Sequence, residues 1–211
     1  MVSQLFEVTA EGDRVEVDPA REIPGLSIDW KGDGSVVEIH EGARFNRTRL
    51  IVGQRSFVSI GDSRGVGILD GVLIWLGGAG AKDVRLTVGH SFSMFSGGQI
   101  LLRDESNVEV VIGDDVMMST NVLIQASDGH IIRDATGAVV NAAMKPSIVI
   151  GDHVWVGRGV IVNKNVRIAA GSIVGSGSVV TRRFETENAA IAGNPAKVVR
   201  EGLFWERSHN V

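Results

Sequence analysis

The sequence contains no cysteine and no tyrosine, and only 4 of its 211 residues are proline. Without cysteine the chain has no disulfide, no zinc–thiolate site and no thioester on the protein, so any chemistry must use oxygen or nitrogen groups. Aromatic residues make up only 5 %, whereas glycine is abundant, with 27 residues. This composition favours tight corners and small branched residues in the interior over an aromatic globular core.

An excess of positive charge is also missing, because the net charge is -4 and the pI is near 5.7. A domain dedicated to nucleic acid is normally basic, so we expect no nucleic-acid partner. No apolar run reaches the length of a membrane span without a charge or a glycine, and the first residues lack a basic region followed by an apolar stretch. We therefore expect a cytoplasmic protein that does not insert into membranes.

What the sequence does contain is a branched apolar residue at every sixth position, namely Ile150, Val156, Val162, Ile168, Val174 and Val180. A period of six fits neither an α-helix nor a continuous strand alternation, and it indicates repeated short units. The branched residue suits an extended segment that points inward, and the small residue after it, such as Gly151 or Asn163, suits a corner with unusual backbone angles. Three such sides close a triangular coil of about 18 residues, and stacked coils share one core.

The same spacing recurs upstream, with a lapse at Ser106 and a turn predicted in the GGAGAK segment at 77–82. The clearer set is Val88, Met94, Ile100, Ile112, Met118 and Ile124, and the weaker set is Ile39, Phe45, Ile51 and Phe57. We predict a β-helix domain over residues 36–181 and an N-terminal cap over residues 1–35.

After Thr181 the six-residue spacing ends. Asn194 and Pro195 precede the segment AKVVRE, and this pair is typical of the N-cap and first position of a helix. We predict that residues 182–211 form a C-terminal segment with a short helix.

The repeats are interrupted between Ile124 and Ile150, because 26 residues is not a multiple of six. We predict a protruding loop at about 127–147, whose sequence SDGHIIRDATGAVVNAAMKPS favours a short hairpin. His130 lies in this loop and is the best-placed histidine for a reaction, although a lone loop histidine is usually only solvated.

Two further features accompany the loop. Trp155 is a large residue beside a corner of the resumed repeat, where it either fills space or lines a groove. A cationic cluster near the end of the coils is either a solvated charged surface or a phosphate-binding patch, and its members are Arg182, Arg183, Lys197 and Arg200.

The segments IGDHVWVGRGVIV, SIVGSGSVVT and AGNPAKVV resemble the hexapeptide-repeat acyltransferases, over residues 85–205. Within that superfamily, SDGHIIRDATGAVVN resembles the loop of galactoside, maltose and surface-polysaccharide O-acetyltransferases. The resemblance implies an all-β, left-handed parallel β-helix with a protruding loop and a short C-terminal helix. It also implies acetyl-CoA as cosubstrate without a metal, a carbohydrate acceptor, and a homotrimer with active sites between subunits.

Site residues follow from the same resemblance. His130 matches the general base, and Trp155 matches the tryptophan that lines the acceptor or acyl site. The backbone N–H of Arg158 matches the donor that faces the thioester oxygen. The implied coenzyme contacts are Ser176, Thr181, Arg182, where the family often has lysine, Lys197 and Arg200. The candidate substrate-binding residues are Asp128 and Gln99, the second of which stands where the family has an asparagine. Either Asp128 or a backbone carbonyl is expected to orient the imidazole of His130.

These features predict an acetyl-CoA-dependent O-acetyltransferase that moves an acetyl group to a hydroxyl of a sugar or of a surface-polysaccharide precursor. His130 acts as the base in a direct attack, and the lack of cysteine agrees with a route that has no acyl-enzyme. The alternatives are an N-acetyltransferase of an amino-sugar nucleotide and a non-catalytic β-solenoid for binding or scaffolding. A zinc-dependent solenoid hydratase needs three histidines, and His90 and His130 lack an obvious third.

Overall fold

The computed structural model describes residues 2–78 and 80–207, and this part of the chain consists of strands, turns and loops without a helix. The N-terminal strands are β1 (Gln4–Val8), β2 (Arg14–Val17), β3 (Leu26–Trp30), β4 (Val36–His40), β5 (Phe45–Asn46), β6 (Thr48–Val52), β7 (Phe57–Ile60), β8 (Ile68–Asp70) and β9 (Leu73–Leu76). The central strands are β10 (Arg85–Val88), β11 (Ser93–Met94), β12 (Gln99–Leu102), β13 (Glu109–Ile112), β14 (Met117–Met118), β15 (Leu123–Gln125) and β16 (Ile148–Ile150). The last strands are β17 (Trp155–Val156), β18 (Ile161–Val162), β19 (Val166–Ile168), β20 (Ile173–Val174), β21 (Val179–Val180), β22 (Ala190–Gly193) and β23 (Ala196–Arg200).

These strands form three sheets that the chain visits in turn. Sheet 1 has the order β19-β16-β13-β10-β7-β4-β1-β2, sheet 2 has β23-β22-β20-β17-β14-β11-β8-β5, and sheet 3 has β21-β18-β15-β12-β9-β6-β3. Neighbours are parallel except at two ends, where β2 pairs antiparallel with β1 and β23 with β22. The chain passes from sheet 1 to sheet 2 to sheet 3 and back, which makes a parallel β-helix with a triangular cross-section.

The branched residues of the six-residue repeat form the core. All six from Ile150 to Val180 are at most 1 % exposed, and they belong to one continuous cluster of buried side chains along the coils. A single coil leaves its inner surface open, so stacking supplies the burial that stabilises each one. The predicted inward positions are confirmed for this part of the chain.

Coil length is 18 residues only near the C-terminal end, where Ile150 pairs with Ile168. Further upstream Val88 pairs with Ile112, 24 residues later. The extra residues lie mainly at the corner between sheets 3 and 1, where the connections between strands include 77–78, 80–84, 103–108 and 126–147. This corner therefore carries a row of insertions, and the longest one contains His130.

The small residues of the repeat have a different function from the one predicted. Gly157, at the second position of its unit, does not have a positive φ, but an added Cβ would lie 2.7 Å from the backbone nitrogen of Ser176 in the next coil. The left-handed conformation falls two residues later, at Gly159 with φ 67°. The second position thus permits close approach between coils, and the fourth makes the corner.

The predicted C-terminal helix is wrong. Asn194 and Pro195 lie in the turn between β22 and β23, and the AKVVR segment is a strand that pairs antiparallel with β22 at the end of sheet 2. The adjacent residues Val198 and Val199 suit a strand, and the pairing satisfies backbone groups that β22 would otherwise expose.

At the other end, β1 and β3 of the predicted cap pair with β4 and β6, so this segment also contributes to the coils. The division of the chain into three segments stays a prediction. No helix that is long and apolar enough to span a membrane occurs among the described residues.

Candidate active site

The loop at 127–147 leaves sheet 3 after β15 and returns to sheet 1 at β16. Residues 128–140 are all exposed. An antiparallel bridge joins Arg133 to Val139, and the Asp134 amide donates to the Ala138 carbonyl at 3.0 Å. The loop is therefore a short hairpin that protrudes from the corner, as its sequence predicts.

His130 lies at the base of this hairpin. Its backbone carbonyl accepts a hydrogen bond from Asn141 Nδ2 at 2.8 Å. Its imidazole has no hydrogen-bond partner within residues 2–78 and 80–207, and the side chain faces a cleft of about 460 Å³. The cleft is lined by Asp104, Glu105, Ser106, Ser127, Gly129, His130, Ile131, Val139, Asn141 and Ala142. A fixed main chain and a free imidazole are what a general base beside a substrate needs.

Asp128 does not bind the imidazole of His130. Its carboxylate accepts hydrogen bonds from Asn141 Nδ2 at 2.8 Å and from Lys164 Nζ at 2.9 Å. Burial raises the pKa of Asp128, but the hydrogen bonds from Lys164 and Asn141 and the charge of Lys164 outweigh it and lower that pKa below its usual value. The carboxylate thus stays ionised and braces the loop.

Trp155 lies on the outer face of sheet 2, partly exposed. Its ring centroid is 6.2 Å from that of Trp205, and Trp205 stacks on His153 at 4.3 Å. Trp205 belongs to the tail after β23, which runs back across the coils until Arg207 Nε donates to Asp115 Oδ1 at 2.6 Å. Trp155 therefore lies at the edge of an aromatic cluster that the C-terminal tail completes.

The structure does not bring Trp155 and His130 of one chain together. In a triangular coil, sheet 2 is the side opposite the corner between sheets 3 and 1. Trp155 is on sheet 2, whereas the hairpin with His130 leaves from that corner. Trp155 is also absent from the lining of the cleft.

Arg158 and Ser176 share the corner between sheets 2 and 3 in successive coils. The Gly177 amide donates to the Arg158 carbonyl at 2.8 Å, which joins the two coils. Within the described part of the chain the Arg158 amide donates to no acceptor, so this N–H is available to a ligand. A free corner N–H has the chemistry required to hold a developing oxyanion.

The other implied coenzyme residues lie near the C-terminal end of the coils and are exposed. Thr181 and Arg182 follow β21, while Lys197 and Arg200 lie on β23. Arg182 Nη2 donates to the Ala196 carbonyl at 3.4 Å, which brings Arg182 close to the start of β23. The implied coenzyme positions therefore fall into two groups. One is the pair Arg158 and Ser176 at a corner, and the other is the set of cationic residues near the C-terminal end of the coils.

Gln99 is exposed on the outer face of sheet 3, between Leu73 of β9 and Leu123 of β15. It lies one coil before the hairpin but does not line the cleft beside His130. Its assignment as a substrate contact stays a prediction, as do the assignments of the other site residues.

Lys164, Asn141 and Glu105 contact the hairpin or the cleft but are not predicted from the sequence. Lys164 is at the third position of its unit, which is a polar position in most units, so the pattern gives it no distinction. Asn141 and Glu105 lie in insertions outside the repeat, where no period assigns contacts.

Comparison with known proteins identifies the repeats. Residues 147–182 match the family described as "Bacterial transferase hexapeptide (six repeats)". Residues 147–182 are therefore similar to the hexapeptide repeats of bacterial transferases. These residues are the part of the sequence in which the six-residue spacing is most regular, which confirms the interpretation of that spacing.

Proteins with similar sequences have related names. The chain is 32 % identical over 128 residues to "Polysialic acid O-acetyltransferase" of Escherichia coli O1:K1 / APEC, which covers 60 % of this chain and 40 % of that protein. It is 36 % identical over 92 residues to "Galactoside O-acetyltransferase" of Escherichia coli (strain K12), which covers 44 % of each. The matched part thus spans less than half the length of these curated relatives.

A solved structure extends the similarity beyond the hexapeptide repeats. The crystal structure of the polySia-specific acetyltransferase NeuO superposes with a TM-score of 0.60 at 26 % identity, over 89 % of this chain and 91 % of that one. The predicted fold class, an all-β, left-handed parallel β-helix, is confirmed. So is the resemblance to hexapeptide-repeat O-acetyltransferases.

Proposed function

We propose that the protein is an acetyl-CoA-dependent O-acetyltransferase that acts on a hydroxyl of a sugar or of a polysaccharide precursor. The observation that carries this proposal is the arrangement at His130, whose backbone is fixed while its imidazole faces a cleft without a hydrogen-bond partner among the described residues. The names of the similar proteins, which are O-acetyltransferases of polysialic acid and of galactosides, support the same reaction.

In this reaction neutral His130 removes the proton from the acceptor hydroxyl, and the oxygen attacks the carbonyl carbon of the acetyl thioester. The C–S bond then breaks, and coenzyme A leaves as the thiol after it takes up a proton. The free N–H of Arg158 suits the oxyanion of the intermediate. A general base contributes about 10²- to 10⁴-fold and one oxyanion donor about 10²- to 10³-fold, so positioning of both substrates supplies much of the rest.

The proposed enzyme is a homotrimer with active sites between subunits. Trp155 and His130 lie on opposite sides of one coil, so a site that uses both requires two chains. The hairpin also exposes several apolar side chains, namely Ile131, Ile132, Val139, Val140 and Met144, each at least 45 % exposed. Large exposed apolar side chains grouped on one loop favour a role in an interface.

The first test is acetyl transfer by the purified protein, measured as free thiol released from acetyl-CoA with a panel of hydroxyl and amine acceptors. We expect transfer to a sugar hydroxyl in the wild type. H130A should lower kcat about 10²- to 10⁴-fold, because the general base is lost, while acetyl-CoA affinity by calorimetry stays close to wild type. R133A changes the same hairpin outside the cleft lining and is the matched control, with kcat expected near wild type.

Several outcomes contradict the proposal. If H130A keeps the wild-type kcat, His130 is not the general base. Transfer to amines alone identifies an N-acetyltransferase. Failure to bind acetyl-CoA, with no thermal shift, identifies a non-catalytic solenoid.

A further inference from the structure

The side chain of Lys164 is buried beneath the hairpin. It follows β18 at the corner between sheets 3 and 1 and is only 7 % exposed. Its Nζ lies 2.9 Å from Asp128 Oδ2 and 3.4 Å from Glu105 Oε2, and it also donates to the Asn141 carbonyl. An ammonium removed from water is stable only where acceptors replace the water, and here three oxygens do so.

The three acceptors come from separate segments of the chain. Asp128 lies at the start of the hairpin, Asn141 at its end, and Glu105 in the corner insertion of the preceding coil. The amide of Asn141 donates to Asp128 Oδ2 and to the His130 carbonyl, each at 2.8 Å. Lys164 is therefore linked to the His130 carbonyl through Asn141, which it contacts directly and also by way of Asp128.

Little else holds this part of the hairpin in place. Residues 128–140 are all exposed, and none of them belongs to the apolar core formed by the described residues. Among the described residues, further hydrogen bonds attach Gly129, whose N–H donates to Ser127 Oγ at 3.0 Å, and the return segment. There Ala143 N donates to Glu105 Oε1 at 3.0 Å and Met144 N to Asn165 Oδ1 at 2.7 Å. Lys164 itself adds nothing to the apolar core, which Val162 and Val166 supply on either side.

We propose that Lys164 is a positioning residue that holds both ends of the hairpin on the coil and so places the imidazole of His130 at the cleft. The inference rests on the proposed function of His130 as the base. In this proposal Asp128 and Asn141 are the contacts through which Lys164 holds the hairpin. Lys164 touches neither substrate nor the reacting atoms.

The test is K164M, which keeps the length of the side chain and removes its charge and its donors. We expect the kcat for acetyl transfer to fall about 10- to 100-fold, because a misplacement of about 1 Å at a reacting group has effects of that size. The KM for acetyl-CoA should stay within about twofold, since the side chain of Lys164 is buried and its polar contacts are with Glu105, Asp128 and Asn141, none of which is an implied coenzyme position. Amide hydrogen exchange should accelerate at Ile132, whose N–H donates to Asn141 Oδ1, and at its hairpin neighbours.

R167M is the matched control, because Arg167 lies on the next strand and pairs with Glu185 on the surface. It should leave both kcat and hairpin exchange near wild type. If K164M does not fold, K164Q, which keeps one donor group, should shift both measurements in the same direction. Wild-type exchange at Ile132 in a folded Lys164 variant overturns the inference, as does an unchanged kcat. If the wild type transfers no acetyl group, the proposed function fails, and hydrogen exchange still decides whether Lys164 holds the hairpin.

Discussion

Two carboxylates, from Asp104 and Glu105, line the cleft beside His130, and none of its lining residues is a lysine or an arginine. Glu105 lies 3.4 Å from the buried ammonium of Lys164. Asp104 pairs with the exposed Arg103 at 3.1 Å, and exposed ion pairs of this kind are weak and screened by salt. We therefore expect the cleft to favour an uncharged acceptor over a polyanion, although one relative is named as a polysialic acid O-acetyltransferase.

We expect an uncharged galactoside to be a better acceptor than a sialic acid polymer, by about tenfold or more in kcat/KM, which corresponds to about 1.4 kcal/mol. Steady-state kinetics with both acceptors at equal salt measures the difference. D104K should reduce this difference in kcat/KM, because the substitution reverses the charge of one side chain that lines the cleft. D13K makes the same charge change at the turn between β1 and β2 and should have no effect. A wild-type preference for the polymer would show that the carboxylates do not control acceptor choice.

At the level of single residues, the sequence predicts the position of His130 in a protruding loop but does not predict which side chains surround it. His130 stands out because the interruption of the repeat lifts it from the coil. Lys164 does not, because burial of its ammonium depends on Asp128 and Asn141, and both lie in the segment whose path no periodicity describes. The contacts of Asp128 are hard to predict for the same reason. Asp128 is close to His130 in the sequence, but its carboxylate contacts Lys164 and Asn141.

The side chains of each strand alternate between the core and the outer face. In β13 two adjacent valines form a matched pair, with which the contributions of the two faces to stability can be compared. Val110 is fully buried, whereas its neighbour Val111 is only partly buried on the outer face, and β13 pairs with β10 and β16 on both sides. We expect V110A to lower the free energy of unfolding by about 2 kcal/mol, because it leaves a cavity in the core. V111A should cost about 0.5 kcal/mol. Urea unfolding followed by circular dichroism gives both values, and equal losses contradict the assignment of the two rows.

The repeat predicts strands well where the spacing stays regular and poorly where it does not. In the last coils Ile150, Val156 and Val162 each pair with the residue 18 positions later. In the first coils Phe57, a predicted inward residue, pairs with Arg85 on the outer face, and the Arg85 guanidinium lies 4.3 Å from its ring centroid. Insertions at the corners change the phase, and a single sequence does not show where an insertion begins.

The end of the solenoid shows a different limit of sequence-based prediction. The Asn194-Pro195 pair has the local preference of a helix start, but β22 has an open edge, and β23 covers that edge as a strand. Local preference is a weaker guide here than the requirement of the whole sheet to satisfy its backbone groups.

On the scale of the whole molecule, one chain carries the two parts of the proposed site on opposite sides, so these parts do not form one site within a single chain. The hairpin with His130 extends from the corner between sheets 3 and 1, while Trp155 lies on the opposite side, beside Trp205 of the C-terminal tail. In the proposed cyclic trimer, the hairpin of one subunit would extend to the side of the next, so that each interface would contain one hairpin and one Trp155. The hairpin carries exposed apolar side chains, which are available for such a contact.

This arrangement predicts complementation between two inactive variants. H130A and W155A should each have low activity alone, and both should sediment as trimers of the 22.5 kDa chain. When the two are co-expressed with different tags and mixed trimers are isolated, one of the three sites in each mixed trimer combines an intact hairpin with an intact Trp155 from its neighbour, so about a third of wild-type activity should return. If His130 and Trp155 of the same chain formed the site, every site in a mixed trimer would lack one of them. Activity would then stay at the level of the single variants, which measurement of kcat on the purified mixed trimers distinguishes directly.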